Sequence, residues 1–199
     1  FLVDLVPRLW YFQQNYRGEK LLVLTSNRKS RINGNFLELL SLFGITEDKI
    51  HYVYELERYS SIIVPEMSMV RPVYYSRQSE ELYRYIVEKA TATRSYPKYD
   101  KIYFSYISNC REFVSLSGTI PHNIVFAKPD TKVVILNKTY RINTIQLMLN
   151  AQAGISPIYV DTNICLFPAS PGSGPFWMEI EDNFIRYAKQ NGLKLPMMV

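Results

Sequence analysis

The strongest helical signal in the chain follows Ser79, where Leu82, Tyr85 and Ile86 share one face and lead to Lys89. Apolar runs and helical stretches alternate on the way to it. Residues 1–16 carry Leu2, Leu5, Val6, Leu9, Trp10 and Phe12 on a wide apolar helical face, started or kinked by Pro7. Residues 20–26, with Leu-Leu-Val-Leu at their centre, predict a buried strand. Asn35 reads as the cap of a helix through Phe36, Leu39, Leu40 and Phe43, which Gly44 ends. Residues 50–54 and 60–64 predict strands, the second closed by Pro65. Such alternation predicts a parallel sheet with helices on both faces.

A polar, proline-containing connector at residues 95–100 separates this half from a second alternation. Strands are predicted at 101–105, 113–116, 131–136 and 158–160. Helices are predicted at 121–127, at 143–152 with Gly154 as the stop, and at 175–190 after a Pro/Gly/Ser loop at 168–174. The fold class is therefore α/β, with two Rossmann-like lobes, residues 1–95 and 96–199, and the cleft between them as the default ligand site. The last helix has the option of crossing back to the first lobe. One junction strains this scheme. Phe104 and Phe113 lie in strand-like runs too close for a parallel crossover, which needs about a dozen residues or more. Either the runs pair antiparallel or residues are skipped between Ser105 and Tyr106. The second reading is favoured, because residues 106–111 read as the end of a helix leading into a strand.

Composition narrows the class. A chain of 199 residues with 47% hydrophobic content and no charge blocks can build a sizeable core. No apolar run approaches the roughly 20 residues that span a bilayer. The chain begins at Phe1, so it reads as a fragment, and an upstream signal or anchor stays open. A net charge of +5 suits polyanions, anionic membrane surfaces or nucleotide phosphates alike. Cys110 and Cys165 sit in apolar surroundings and read as core thiols. His51 and His122 are the only histidines, and no Cys/His cluster has metal-ligand spacing.

Candidate chemistry concentrates at a turn. The apolar run from Phe113 to Leu116 breaks at Ser117-Gly118-Thr119, and Pro121 stands where a helix takes its first residue. A strand, a small-residue turn and a helix start aim backbone N–H groups at one point, which favours phosphate. An ordinary strand-to-helix turn has the same residues. His122, near the helix start, would be neutral and able to hydrogen-bond a phosphate or hydroxyl, or would be structural. Asn123 either meets a ligand or ties the turn. A second small-residue loop, Ser170-Pro-Gly-Ser-Gly-Pro175, places Ser173 and Gly174 before the last helix, to grip a diphosphate or merely to cross the surface. Asp4 lies one turn before Arg8, as a cleft-facing pair or an i,i+4 salt bridge, and Arg8 could meet a phosphate bidentately or snorkel.

Two segments together resemble glycosyltransferase family 61, which includes many capsular-polysaccharide enzymes of bacteria. Phe1-Leu-Val-Asp-Leu-Val-Pro-Arg-Leu-Trp10 is similar to the family's His-x-x-x-Asp/Glu-x-x-Pro-Arg-Leu helix, whose leading His would precede residue 1. The segment from Glu112 to Leu136 resembles the region where the family shows Gly-x-His-Gly-Ala-Gly-Leu-x-Asn, then an apolar helix and a strand. Aligned on Asn123, the family His falls on Ser117 and the Gly after it on Gly118, with Thr119 and Ile120 replacing Ala-Gly. His122 stands nearby as a substitute imidazole. Residues 101–105 resemble the strand that opens the second lobe, with Tyr106 where an Arg normally follows Ser105.

The resemblance implies a GT-B-like fold and inverting transfer of a sugar from a nucleotide-sugar donor to a saccharide or lipid-linked saccharide acceptor. It implies cell-surface or capsular polysaccharide synthesis, in the cytoplasm or at the inner face of the membrane, with room for a peripheral membrane contact. Asp4 would be the base, with His122 as the second catalytic candidate. Arg8, Ser105, Ser117, Gly118, Thr119, Asn123, Ser173 and Gly174 would contact the donor. No cofactor is implied, and the lack of an Asp-x-Asp pair agrees with metal-free handling of the diphosphate. The rival class is a basic, aromatic-rich nucleic-acid-binding α/β module without catalysis. The basic residues are scattered and no RNA-binding motif is visible, so no nucleic-acid partner is expected.

Overall fold

Parallel strand pairs joined through helical segments organise the chain in the computed structural model, which describes residues 5–24, 31–32, 34–92, 107–139, 141–162 and 182–194. The class is mixed α/β with small parallel sheets. The chain divides into two units, Phe1–Ser105 and Tyr106–Val199. Leu22 and Val134 lie in separate sheets. The connector, the 101–105 strand and the junction between Ser105 and Tyr106 lie outside the described residues.

In the first unit, strand β1 (Leu21–Val23) pairs in parallel with β2 (Ile50–Tyr52), and helix α2 (Asn35–Ser41) lies between them in sequence. Asn35 is the first helical residue, not the cap; Gly34 takes the cap position with φ +54. Gly44 ends the segment at φ +75, where the Ile45 N–H reaches back to the Leu40 carbonyl. The single N-terminal helix expected over 1–16 is replaced by a 3-10 turn, Val6–Arg8, and a short helix α1 (Trp10–Asn15). The physical reason is Pro7. Its carbonyl, needed for an α-helical bond four residues on, instead accepts from both the Ser68 N–H and the Ser68 hydroxyl.

The 60–64 strand does not form. Residues 56–64 follow an irregular, mostly exposed path, because β-branched side chains make a strand only where a partner strand offers a ladder. A hairpin forms further on instead, β3 (Met69–Val70) against β4 (Tyr74–Tyr75). Helix α3 (Arg77–Ala92) buries Leu82, Tyr83, Ile86 and Ala90. Its Tyr85 hydroxyl donates to the Leu42 carbonyl, tying α3 to the end of α2.

The second unit is a three-stranded parallel sheet in the order β5 (Glu112–Leu116), β6 (Lys132–Asn137), β7 (Ile158–Asp161). Residues 107–109 are helical, so a helix does lead into β5. A 3-10 helix, Ile120–Phe126, links β5 to β6, and helix α4 (Thr144–Ala153) links β6 to β7. Gly154 ends α4 as expected, whereas Asn143, read as a helical residue, is its cap. The Asn143 side chain accepts from the Ile145 N–H, and Gly154 closes the helix at φ +66.

Strand β6 is buried on both faces, which is why Val133, Val134 and Ile135 form one continuous apolar run. Val133 and Ile135 pack with Ile124 and Ile155 on one side. Val134 packs with Val160 and Tyr187 on the other, under helix α5 (Asp182–Gln190). The described end of the last helix therefore packs on the sheet of its own unit. Among the described residues β5 lies at the edge of the sheet, with Val114 54% and Leu116 44% exposed.

Candidate functional site

The carboxyl ends of β5, β6 and β7 gather polar side chains, as the open end of a parallel sheet does at a ligand site. At the end of β5 the Ser117 N–H donates to the Leu136 carbonyl, and the Ser117 hydroxyl accepts from the Lys138 N–H. Gly118 follows at φ +143, a conformation that favours glycine. A Cβ placed on Gly118 would sit 3.4 Å from the Lys138 ammonium nitrogen. The missing side chain thus brings a cation against the backbone of the turn. At the neighbouring strand ends the Asn137 amide donates to Asp161 Oδ1 at 2.8 Å, and the Thr162 hydroxyl donates to the Asn137 carbonyl.

The element after the turn is a 3-10 helix of seven residues with no side-chain cap at Thr119. So short a helix sums few peptide dipoles, so it adds little positive potential at the turn. His122 is buried, 8% exposed, which gives its imidazole little access to solvent. Asn123 ties the turn: its amide donates to the Ile120 carbonyl at 2.8 Å. Behind the turn, the Gln146 amide donates to the Pro121 carbonyl and to Asn150, whose own amide donates to the Tyr159 hydroxyl. This buried relay holds the 3-10 helix against α4.

Ser117, Gly118, Thr119, His122 and Asn123 thus share one turn and the helix that follows. Asp4, Ser105, Ser173 and Gly174 lie outside the described residues. Arg8 belongs to the first unit, where its guanidinium donates to the Pro65 carbonyl. Lys138 was missed, and no local motif marks it: it is one lysine after a strand until the φ of Gly118 is known.

A second constellation also escaped the sequence. In the first unit, Glu57 Oε2 accepts from the Tyr59 hydroxyl and lies 2.7 Å from His51 Nε2. A carboxylate only accepts, so the imidazole donates through Nε2, which leaves Nδ1 as an acceptor in the neutral ring. The Tyr59 bond first, and His51 second, hold the Glu57 carboxyl below its ordinary range. The same bond pushes the Tyr59 phenol up to about 12. A depressed carboxylate contributes stability above its unfolded value and loses it as pH falls through the folded value. Tyr59→Phe is expected to raise the Glu57 midpoint, read by carbon NMR titration. An unmoved midpoint would assign the depression to another cause.

Among the described residues, no group of three or more His, Cys, Asp or Glu side chains could hold a metal ion. No helix there is long and apolar enough to cross a membrane. Cys110 is a free thiol pushed up by burial, and Cys165 lies outside the described residues. Compared with known proteins, the chain matches no family model, no curated protein and no solved structure.

Proposed function

We propose that this chain is a nucleotide-sugar-dependent, inverting glycosyltransferase of the family-61 type with a GT-B-like architecture. In this reading the second unit takes the donor and the first carries the acceptor and the base, Asp4. The acceptor is a saccharide or lipid-linked saccharide, and the reaction belongs to cell-surface polysaccharide synthesis on the cytoplasmic side of the membrane. The observation that supports it most is the placement of Lys138 over Gly118 at the open end of a parallel sheet. A lysine ammonium beside exposed turn backbone stabilises a departing diphosphate without a metal. Ser117 and Thr119 supply hydroxyls on the same turn. The two sequence segments that resemble the family supply the sugar-transfer chemistry.

The test is binding of a panel of nucleoside diphosphates and nucleotide sugars, in the presence of a chelator, by calorimetry. At least one is expected to bind. Lys138→Met should weaken it by about tenfold to a hundredfold, the range for one charge-assisted hydrogen bond. Oligonucleotide binding with steep salt dependence, and no nucleotide binding, would favour a nucleic-acid module instead.

A further inference from the structure

The first unit holds a cavity of about 810 Å³, within the range of small-molecule sites. One wall is aliphatic, formed by Leu5, Leu9, Leu21 and Leu22 from the N-terminal turn and β1. Facing residues come from the irregular 60–65 strap, where Ile62, Ile63 and Val64 are 57%, 52% and 74% exposed. Three consecutive β-branched aliphatics left in water are surface that an apolar ligand would cover.

The remaining wall is polar and electrically balanced. Arg8 and Lys20 are matched by Glu19 and Glu57. The lining carries no excess of either sign to select a charged head, and a neutral head whose hydroxyls find acceptors there recovers its lost hydration. His51, Glu57 and Tyr59 line the same cavity. Both bonds to Glu57 fall on Oε2, so Oε1 and His51 Nδ1 have no partner among the described residues. Each is an acceptor able to take a hydroxyl donor of a polyhydroxylated group.

We propose that this cavity binds an uncharged amphipath, an aliphatic chain joined to a hydroxyl-rich head such as a sugar. The chain lies against the leucine wall and the 62–64 strap, and the head hydroxyls donate to Glu57 and His51. The site stands on its own geometry and holds whether or not the second unit takes a nucleotide.

n-Octyl β-glucoside, kept below its micelle concentration and titrated into the full chain in a calorimeter, is the probe. Saturable one-site binding is expected, with glucose and octanoate each at least about tenfold weaker. Ile63→Ser changes an exposed residue, so the fold is retained, and it should weaken the glucoside by about tenfold through lost apolar contact. Glu57→Gln keeps the shape and should weaken the glucoside, while octanoate, relieved of one neighbouring carboxylate, should bind no more weakly. Absence of saturable binding, octanoate as tight as the glucoside, or unchanged affinity in both variants overturns the proposal. So does a dimer that Ile63→Ser dissociates, which makes a second copy the occupant. Co-sedimentation with phosphatidylglycerol vesicles, lost in Ile63→Ser and without glucoside binding, overturns it in favour of a membrane.

Discussion

Asp4→Asn is expected to leave nucleotide-sugar affinity nearly unchanged and to lower turnover by about 10²–10⁴-fold, the usual contribution of a positioned general base. The amide keeps the size and hydrogen-bonding reach of the carboxylate but cannot take the acceptor proton. If Asp4 instead only pairs with Arg8, the change should cost about 0.3–0.5 kcal/mol of stability and leave turnover intact. The structure bears on Arg8. Its guanidinium is engaged by the Pro65 carbonyl, and the 3-10 turn Val6–Arg8 interrupts the regular helix that an i,i+4 pair presupposes. Donor affinity, turnover and melting temperature measured on the one variant separate the two outcomes. Full turnover would remove Asp4 from the mechanism.

Ile135→Ala is expected to cost the second unit about 2–5 kcal/mol, the range for deleting a fully buried aliphatic side chain. Ile135 sits in the central strand, completely buried, packed with Ile124, Val133 and Ile155 between the sheet and the 3-10 helix. Truncation opens a void that rigid neighbours on three elements cannot close. Small domains are stable by about 5–15 kcal/mol, so this is a large share. Val114→Ala on the half-exposed edge strand is the matched control, with an effect within about 0.5 kcal/mol. Urea unfolding of both variants reads the difference. Equal effects would show that β6 is not the centre of this core.

The second unit was the more legible half because its signals are local. Gly154 is a short-range stop for α4, and the Val133–Ile135 run is long enough to mark a doubly covered strand. Periodicity does not say which strand lies at an edge, so the apolar run Phe113–Leu116 gave no sign that Val114 and Leu116 would be about half exposed. In the first unit the decisive contacts are remote. Nothing near Pro7 announces that Ser68 will take its carbonyl. Two-residue strands such as β3 and β4 are too short to leave a pattern. At the candidate site, Ser117 and Gly118 were visible as a small-residue turn, whereas Lys138 became significant only through tertiary approach.

The clasp between the amino-terminal segment and the strap has a consequence for the order of assembly. Ser68 bonds Pro7 across 61 residues, Trp10 bonds the Glu66 carbonyl across 56, and Arg8 bonds Pro65 across 57. During synthesis the turn Val6–Arg8 therefore lacks these bonding partners until residue 68 has left the ribosome. The three bonds close only then, and a loop of that length pays its closure entropy at the end. The sheet of the second unit has no such wait, because each strand pairs with the next one made.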